Sequence, residues 1–324
     1  RGLQLRLDQI GIDLMRQAVA AALNGSVAAT PQPGAGTVFR KPTLRQAAEL
    51  QRRLARRGPA REPVVKRILK EAAYAGAIGV RDATPRLLMR PRVTVLLYHR
   101  VSDDTRDNLT VGVEQFDRQM ALLRRHCTVL SIEELLQLEV IPASGVPLVC
   151  VTFDDGYLDN YTNAVPILLR HGVPAAFFVS TGIIGTDRPF PHDIRRGNAK
   201  PPAMGWEHVT AMREHGFTIG SHTVTHVDCA SEAESVVVEE LAESLAELRR
   251  RLGLGEVYFA YPFGGRQNMT SQRLELVKKA GYAACFSAYG GTNSDRIERY
   301  NIVRGGVDWT FSDRAFRVRC MGLR

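Results

Sequence analysis

At positions 154 and 155 two aspartates stand side by side in TFDDGYLDN, directly after the apolar run LVCVTF and just before Gly156. Adjacent carboxylates repel each other unless a cation is close, and the following glycine lets the chain turn so that both converge on one site. For a bare DDG, an aspartate capping the next helix is the better reading. Further along, SHTVTH places His222 and His226 four residues apart. Imidazole is the commonest side-chain ligand of zinc-like ions, and two at this spacing can reach one metal, although alone they read equally well as polar histidines on a turn or helix face. Taken together, one carboxylate and two imidazoles make a three-ligand site for a divalent cation, with positions left for water. The second aspartate is then free to act as a base.

These groups need a frame. From Val93 onwards, apolar runs of strand length alternate with helical patterns. The runs are VTVLLY (93–98), LVCVTF (148–153), AAFFV (175–179), FTIG (217–220), YFAY (258–261) and YAACFS (282–287), with a short strand near Ile302. Helices are expected around Phe116, Met120 and Leu123, and over about 162–171, 206–215, 233–252 and 271–280. Such alternation implies a mainly parallel sheet, open or closed as a barrel, with chemistry at the carboxyl ends of its strands. Those ends carry Tyr98-His99, Asp154-Asp155, His222 and Pro262-Phe263-Gly264.

TFDDG followed at a distance by H-T-x-T-H resembles the first two motifs of the polysaccharide deacetylases, carbohydrate esterase family 4, with its NodB-homology domain. The resemblance runs from about Val93 to Val307 and includes LLYHRV, VGVEQFDRQMALLRRH, TFDDGYLDNYTNAVPILLRHGVPAAFFVSTGIIG and FAYPFGG. It implies an α/β fold, a distorted (β/α) barrel, and removal of N-acetyl groups from amino sugars of a glycan. It also implies one divalent metal ion, zinc first, with cobalt or nickel as alternatives.

Carried over by position, the resemblance makes Asp154 the base, Asp155, His222 and His226 the metal ligands, and the backbone N–H of Phe263 an oxyanion donor. The family's third motif, Arg-x-Pro-Tyr, falls on Ala260-Tyr261-Pro262-Phe263, so the arginine that orients the base is missing, and Arg304 in YNIVRGG is the candidate replacement. The family's Leu-x-His motif lies near the C-terminus, but this chain has no histidine after His226. Leu97-Tyr98-His99 has that pattern instead, as in the circularly permuted branch that deacetylates exported poly-N-acetylglucosamine, which makes His99 the acid. Trp206, Tyr261, Phe263 and Trp309 are candidates for a sugar-stacking wall, and equally for core. His126, His171, His192, His208 and His215 match no motif and are expected on the surface.

Composition sets the outer bounds. With 44% hydrophobic and 24% charged residues the chain is globular, neither disordered nor collagen-like, and it has no apolar run long enough to span a bilayer. Between Arg40 and Arg100 stand 16 Lys or Arg against four acids, so the net charge of +9 belongs to that segment and the remainder is slightly acidic. A basic segment of this kind suits an anionic membrane surface or a plain solvated helix, and the lack of aromatic residues from Lys41 to Ala73 speaks against nucleic acid. Five cysteines without a CxxC pair fit thiols in a reducing compartment, and Arg1, Arg6, Asp8 and Asp13 leave no secretory apolar region, which favours the cytoplasm or the periphery of a membrane.

The expected organisation is a helical tail over 1–60, a basic helical linker over 61–91 and a catalytic domain over 92–324. The tail, with its GTVFRKPT, resembles the C-terminal segment of formyltransferase-like domains. The readings that compete with a glycan deacetylase are a non-catalytic carbohydrate-binding or scaffold protein on the same fold, a metal amidohydrolase of a small amide, and an adaptor acting through the basic segment.

Overall fold

The computed structural model describes residues 64–84, 90–196 and 201–323. The tail over 1–60, with Arg52-Arg53 and Arg56-Arg57 of the basic segment, lies outside the described residues. The chain divides into two compact units, 1–67 and 68–324, and the second holds almost everything described.

Helix α1 (Val64–Ala83) opens the described chain. Ile78 on it packs on Val318 and Met321, and Arg81 donates to the carbonyls of Ser144 and Gly145. Strand β1 (Arg92–Tyr98) follows, buried from Val93 onwards. A small parallel pair, β2 (Arg100–Val101) and β3 (Thr110–Val111), leads to α2 (Val113–His126), β4 (Thr128–Val129) and α3 (Ile132–Gln137). Ser131 and Glu134 close a reciprocal capping box at the start of α3.

Strand β5 (Leu148–Phe153) is buried throughout, as its unbroken apolar run requires. A π-type turn (Asn160–Ala164) then opens α4 (Val165–His171), two residues before the expected helix start. Next come β6 (Ala176–Val179), α5 (Pro191–Arg196), α6 (Trp206–Glu214) and β7 (Thr218–Ser221). The long α7 (Glu234–Leu252) buries Val237, Leu241, Leu245, Leu248 and Leu252 at helical spacing and ends on left-handed Gly253. The remaining elements are β8 (Tyr258–Ala260), α8 (Ser271–Ala280), β9 (Ala284–Phe286), β10 (Asn293–Ser294), β11 (Arg304–Gly306) and α9 (Asp313–Cys320).

The main sheet runs β10-β1-β5-β6-β7-β8-β9, parallel from β1 to β9, with β10 antiparallel at its edge. It is curled. The stretch Ile302–Gly306 touches both margins, because Ile302 bridges to Phe286 of β9 while β11 pairs in parallel with β1. Alternate strand residues divide between two clusters. Val93, Val95, Cys150, Phe178 and Phe286 face the inside of the curl, whereas Leu96, Tyr98, Val151, Phe153 and Phe177 pack against the helices.

All five cysteines are free thiols and four are buried, as expected for thiols that pack rather than bridge. Among the described residues no helix is long and apolar enough to cross a membrane.

Candidate active site

Each residue pointed to by spacing sits where a strand ends. The Asp154 N–H donates to the Tyr98 carbonyl and that of His222 to the Val179 carbonyl, so parallel pairing sets both side chains at one end of the sheet. Asp155 leaves β5 with φ +75° and His226 has φ +61°, both in the left-handed region that L-residues avoid. Thr223 and Phe263 share it, so four of the five non-glycine residues with positive φ among those described surround this site. Strain of this kind persists only where the surroundings over-determine it. Gly156, with φ +101°, has no room for a side chain, since a Cβ would stand 2.7 Å from Ile184.

Arg304 is wholly buried and forms a two-bonded fork with Asp154, Nη1 to Oδ1 at 2.6 Å and Nη2 to Oδ2 at 2.7 Å. It also donates to the Ser287 carbonyl and the Thr152 hydroxyl. Burial works to raise the Asp154 carboxyl, but the Arg304 guanidinium, helped by His222, outweighs it and holds the group below its ordinary range.

Asp155 is buried with no hydrogen-bond partner on either oxygen. His226 Nε2 lies 3.2 Å and His222 Nε2 3.4 Å from its Oδ1, and His192 Nε2 lies 3.4 Å from its Oδ2. These separations exceed charge-assisted hydrogen bonds of about 2.7–2.9 Å. They lie close to the roughly 3.3–3.6 Å expected between two ligands each 2.0–2.2 Å from one tetrahedral ion, and the ligand atoms of Asp155, His192 and His226 all stand within 4.8 Å of one another. Burial works to raise the Asp155 carboxyl, but His222 and His226 win and hold it well below the usual carboxylate range. The His222 Nδ1 faces the Ala260 carbonyl at 2.8 Å, and a proton there leaves the Nε2 lone pair free to bind a cation. An orphaned buried carboxylate amid imidazole nitrogens fits a divalent metal.

The loop that carries both motif histidines is tied down from α7. Buried Glu240 accepts from the N–H groups of Val224 and Thr225, at 2.7 and 2.9 Å, and from the Thr225 hydroxyl. His99, half-buried at the end of β1, feels Asp155 and Asp154, which raise its pKa, but burial prevails and lowers it. Phe263 is 43% exposed, and its ring packs edge-on against His226 with centroids 5.0 Å apart.

With this geometry in place, the comparisons with known proteins point to one kind of domain. The model of the polysaccharide deacetylases matches residues 143–285. The chain carries a polysaccharide deacetylase domain. It is 27% identical over 227 residues to the putative polysaccharide deacetylase YxkH of Bacillus subtilis, across 69% of this chain and 75% of that protein. It is also 27% identical over 184 residues to the poly-β-1,6-N-acetyl-D-glucosamine N-deacetylase of Staphylococcus aureus, across 56% of this chain but only 61% of that protein. Two solved structures share the fold. The deacetylase PplD of Streptococcus pyogenes, in complex with acetate, superposes with a TM-score of 0.60 at 23% identity, over 72% of this chain and 99% of that one. IcaB of Ammonifex degensii gives 0.58 at 24%, over 73% and 99%.

The deacetylase domain departs from expectation at three positions. His192 is not a surface residue: it is 7% exposed and its ring lies 4.7 Å from that of His226. It stands on α5 in the long connection after β6, a carboxyl-end loop that the strand-end rule covers but that contains no recognisable motif. Tyr261 does not line a groove, because it is 1% exposed and packs on Phe259 within the helix-side core. Trp206 packs against that same core, and Arg251 lies over its ring at 4.5 Å, which leaves no clear face for a sugar. Glu240 had no signal in the sequence beyond being one acid on a long amphipathic helix.

Proposed function

We propose that the domain hydrolyses the N-acetyl groups of amino sugars in a glycan, with Asp154 as base, His99 as acid and a divalent metal, zinc first, held by Asp155, His222 and His226. The observation that carries this reading is the division of labour between neighbouring carboxylates. Asp154 is committed to an arginine, whereas Asp155 faces only imidazoles and has no partner of its own.

A metal bound there would polarise the amide carbonyl and lower the pKa of a water molecule. The Arg304 fork uses one lone pair on each Asp154 oxygen and leaves others, so the carboxylate can accept a proton from the attacking water while its plane stays fixed. The amine of the sugar is too basic to depart as an anion, and His99 at the neighbouring strand end supplies its proton. Burial makes the His99 imidazolium, once formed, a stronger acid than in water. The backbone N–H of Phe263 is the proposed donor to the oxyanion, and its exposed ring offers the sugar an apolar face. The similarity to a putative polysaccharide deacetylase and to a poly-β-1,6-N-acetyl-D-glucosamine N-deacetylase supports a polymeric N-acetylhexosamine as substrate. The excess of positive charge between Arg40 and Arg100 supports an additional contact with an anionic membrane surface.

The test is acetate release from N-acetylated glycans, polymeric and lipid-linked, and from small N-acetyl amides, before and after chelation and zinc return. Release from glycans that stops on chelation and resumes with metal is expected. Release from small amides alone would replace the glycan by a small substrate, and no release from any of them would leave a binding protein on this fold.

A further inference from the structure

Away from Asp154 and Asp155, two cysteine thiols meet. Cys127 directly follows α2, Cys320 is the last residue of α9, and α9 packs on α2. Both line one cavity of about 230 Å³, and the Cys127 thiol lies within hydrogen-bond reach of Cys320 Sγ. Cys320 is 3% exposed, whereas Cys127 is only half-buried. The other three cysteines are buried elsewhere: Cys285 Sγ donates to the Tyr300 carbonyl at 2.8 Å, Cys150 Sγ faces the Ser131 carbonyl at 3.9 Å, and Cys229 sits in the helix-side core.

We propose that Cys127 and Cys320 form an oxidation site, at which a hydroperoxide turns the two thiols into a reversible disulfide across the cavity. Cys127 reacts first, because solvent reaches it, whereas burial pushes the Cys320 thiol well up and keeps it protonated. The Cys127 sulfur attacks one peroxide oxygen, the O–O bond breaks, and the other oxygen leaves carrying the thiol proton, so that a sulfenic acid remains. The Cys320 sulfur then attacks the sulfenic sulfur, and its own proton leaves with the departing hydroxide as water while the S–S bond forms. The two thiols give up two electrons in all, and the peroxide takes them. The surroundings suit the first step. Arg81, Arg125 and Arg317 line the same cavity, against Asp82, which pairs with Arg317 at 3.5 Å. The Arg317 Nε is buried without a hydrogen-bond partner. An excess of positive charge beside a half-buried thiol stabilises the negative charge that develops as the peroxide bond breaks, and reactive cysteines occupy such surroundings. In a reducing compartment a disulfide of this kind is transient and is reversed by thiol exchange.

Peptide mass mapping of the full chain, after graded hydrogen peroxide and alkylation of the remaining thiols, reads the modification directly. The wild type should lose two alkylatable thiols and the mass of two hydrogen atoms, yield a linked peptide pair holding Cys127 and Cys320, and recover both thiols in dithiothreitol. Cys127 should be oxidised about tenfold or more faster than Cys150, Cys229 or Cys285. Cys320→Ser should stop at a sulfenic acid on Cys127, captured by dimedone, and Cys127→Ser should form no disulfide at the same dose. The wild-type map alone decides the matter where a variant fails to fold. If Cys127 and Cys320 both stay alkylatable at doses that oxidise another cysteine of the chain or a free cysteine peptide, or if oxidised Cys127 never closes onto Cys320, the proposal is overturned.

Discussion

The guanidinium of Arg304 grips the carboxylate of Asp154 through two parallel bonds, 150 residues apart in the chain and out of reach of water. The arginine missing at Ala260 on β8 is thus replaced in space by one on β11, the strand that reaches β1 beside β5. Removing one partner of a buried pair leaves the other charge unserved, at about 3–5 kcal/mol. Arg304→Ala is therefore expected to destabilise the domain by that order, measured by denaturant titration, and Arg304→Lys to recover little because a point charge cannot make the fork. In the Asp154→Asn background the same substitutions should do much less harm. Equal losses in both backgrounds would show that the two residues are not coupled.

Glu240 touches no proposed ligand, yet it anchors the turn between His222 and His226 through three accepted bonds. Outer contacts that orient ligands typically account for 10–100-fold in metal affinity. Glu240→Ala should therefore weaken zinc binding by about that factor in a chelator competition, with Glu240→Gln intermediate. Unchanged affinity would mean that the turn holds itself.

A pH effect is expected far from the site. His171 Nε2 and Arg170 lie 2.6 and 2.7 Å from Asp117 and hold its carboxyl below the usual range. A group whose pKa is lower folded than unfolded adds stability above the unfolded value, about 3.9, and loses it as pH falls through the folded one. Asp117 is partly exposed and screened by salt, so Asp117→Asn should lower the melting temperature by roughly 1–3 °C at pH 7. The two proteins should converge as pH falls from the unfolded value of about 3.9 through the lower folded one. A difference that persists at low pH would rule out this origin.

Much of the sheet was legible because its strands are buried on both faces and read as unbroken apolar runs, as β5 does from Leu148 to Phe153. The short pieces were legible only in part. β10 holds two residues, too few for any pattern, whereas the short strand expected near Ile302 is met by the Ile302 bridge and by β11, which delivers Arg304. Asp154, Asp155, His222 and His226 could be found because their spacing is local. His192 could not, because it meets Asp155 only through the fold. Tyr261 and Trp206 were open between groove wall and core, since aromatic type alone does not tell the two apart, and both pack on the core.

The most direct test of the central claim is paired detection of acetate and new free amine when the zinc-loaded chain acts on an oligomer of N-acetylhexosamine. The account predicts equal amounts of both from the wild type, and a rate about 10²–10⁴ lower from Asp154→Asn that still binds zinc. Undiminished release by Asp154→Asn, or none by a wild type that binds zinc, would contradict it.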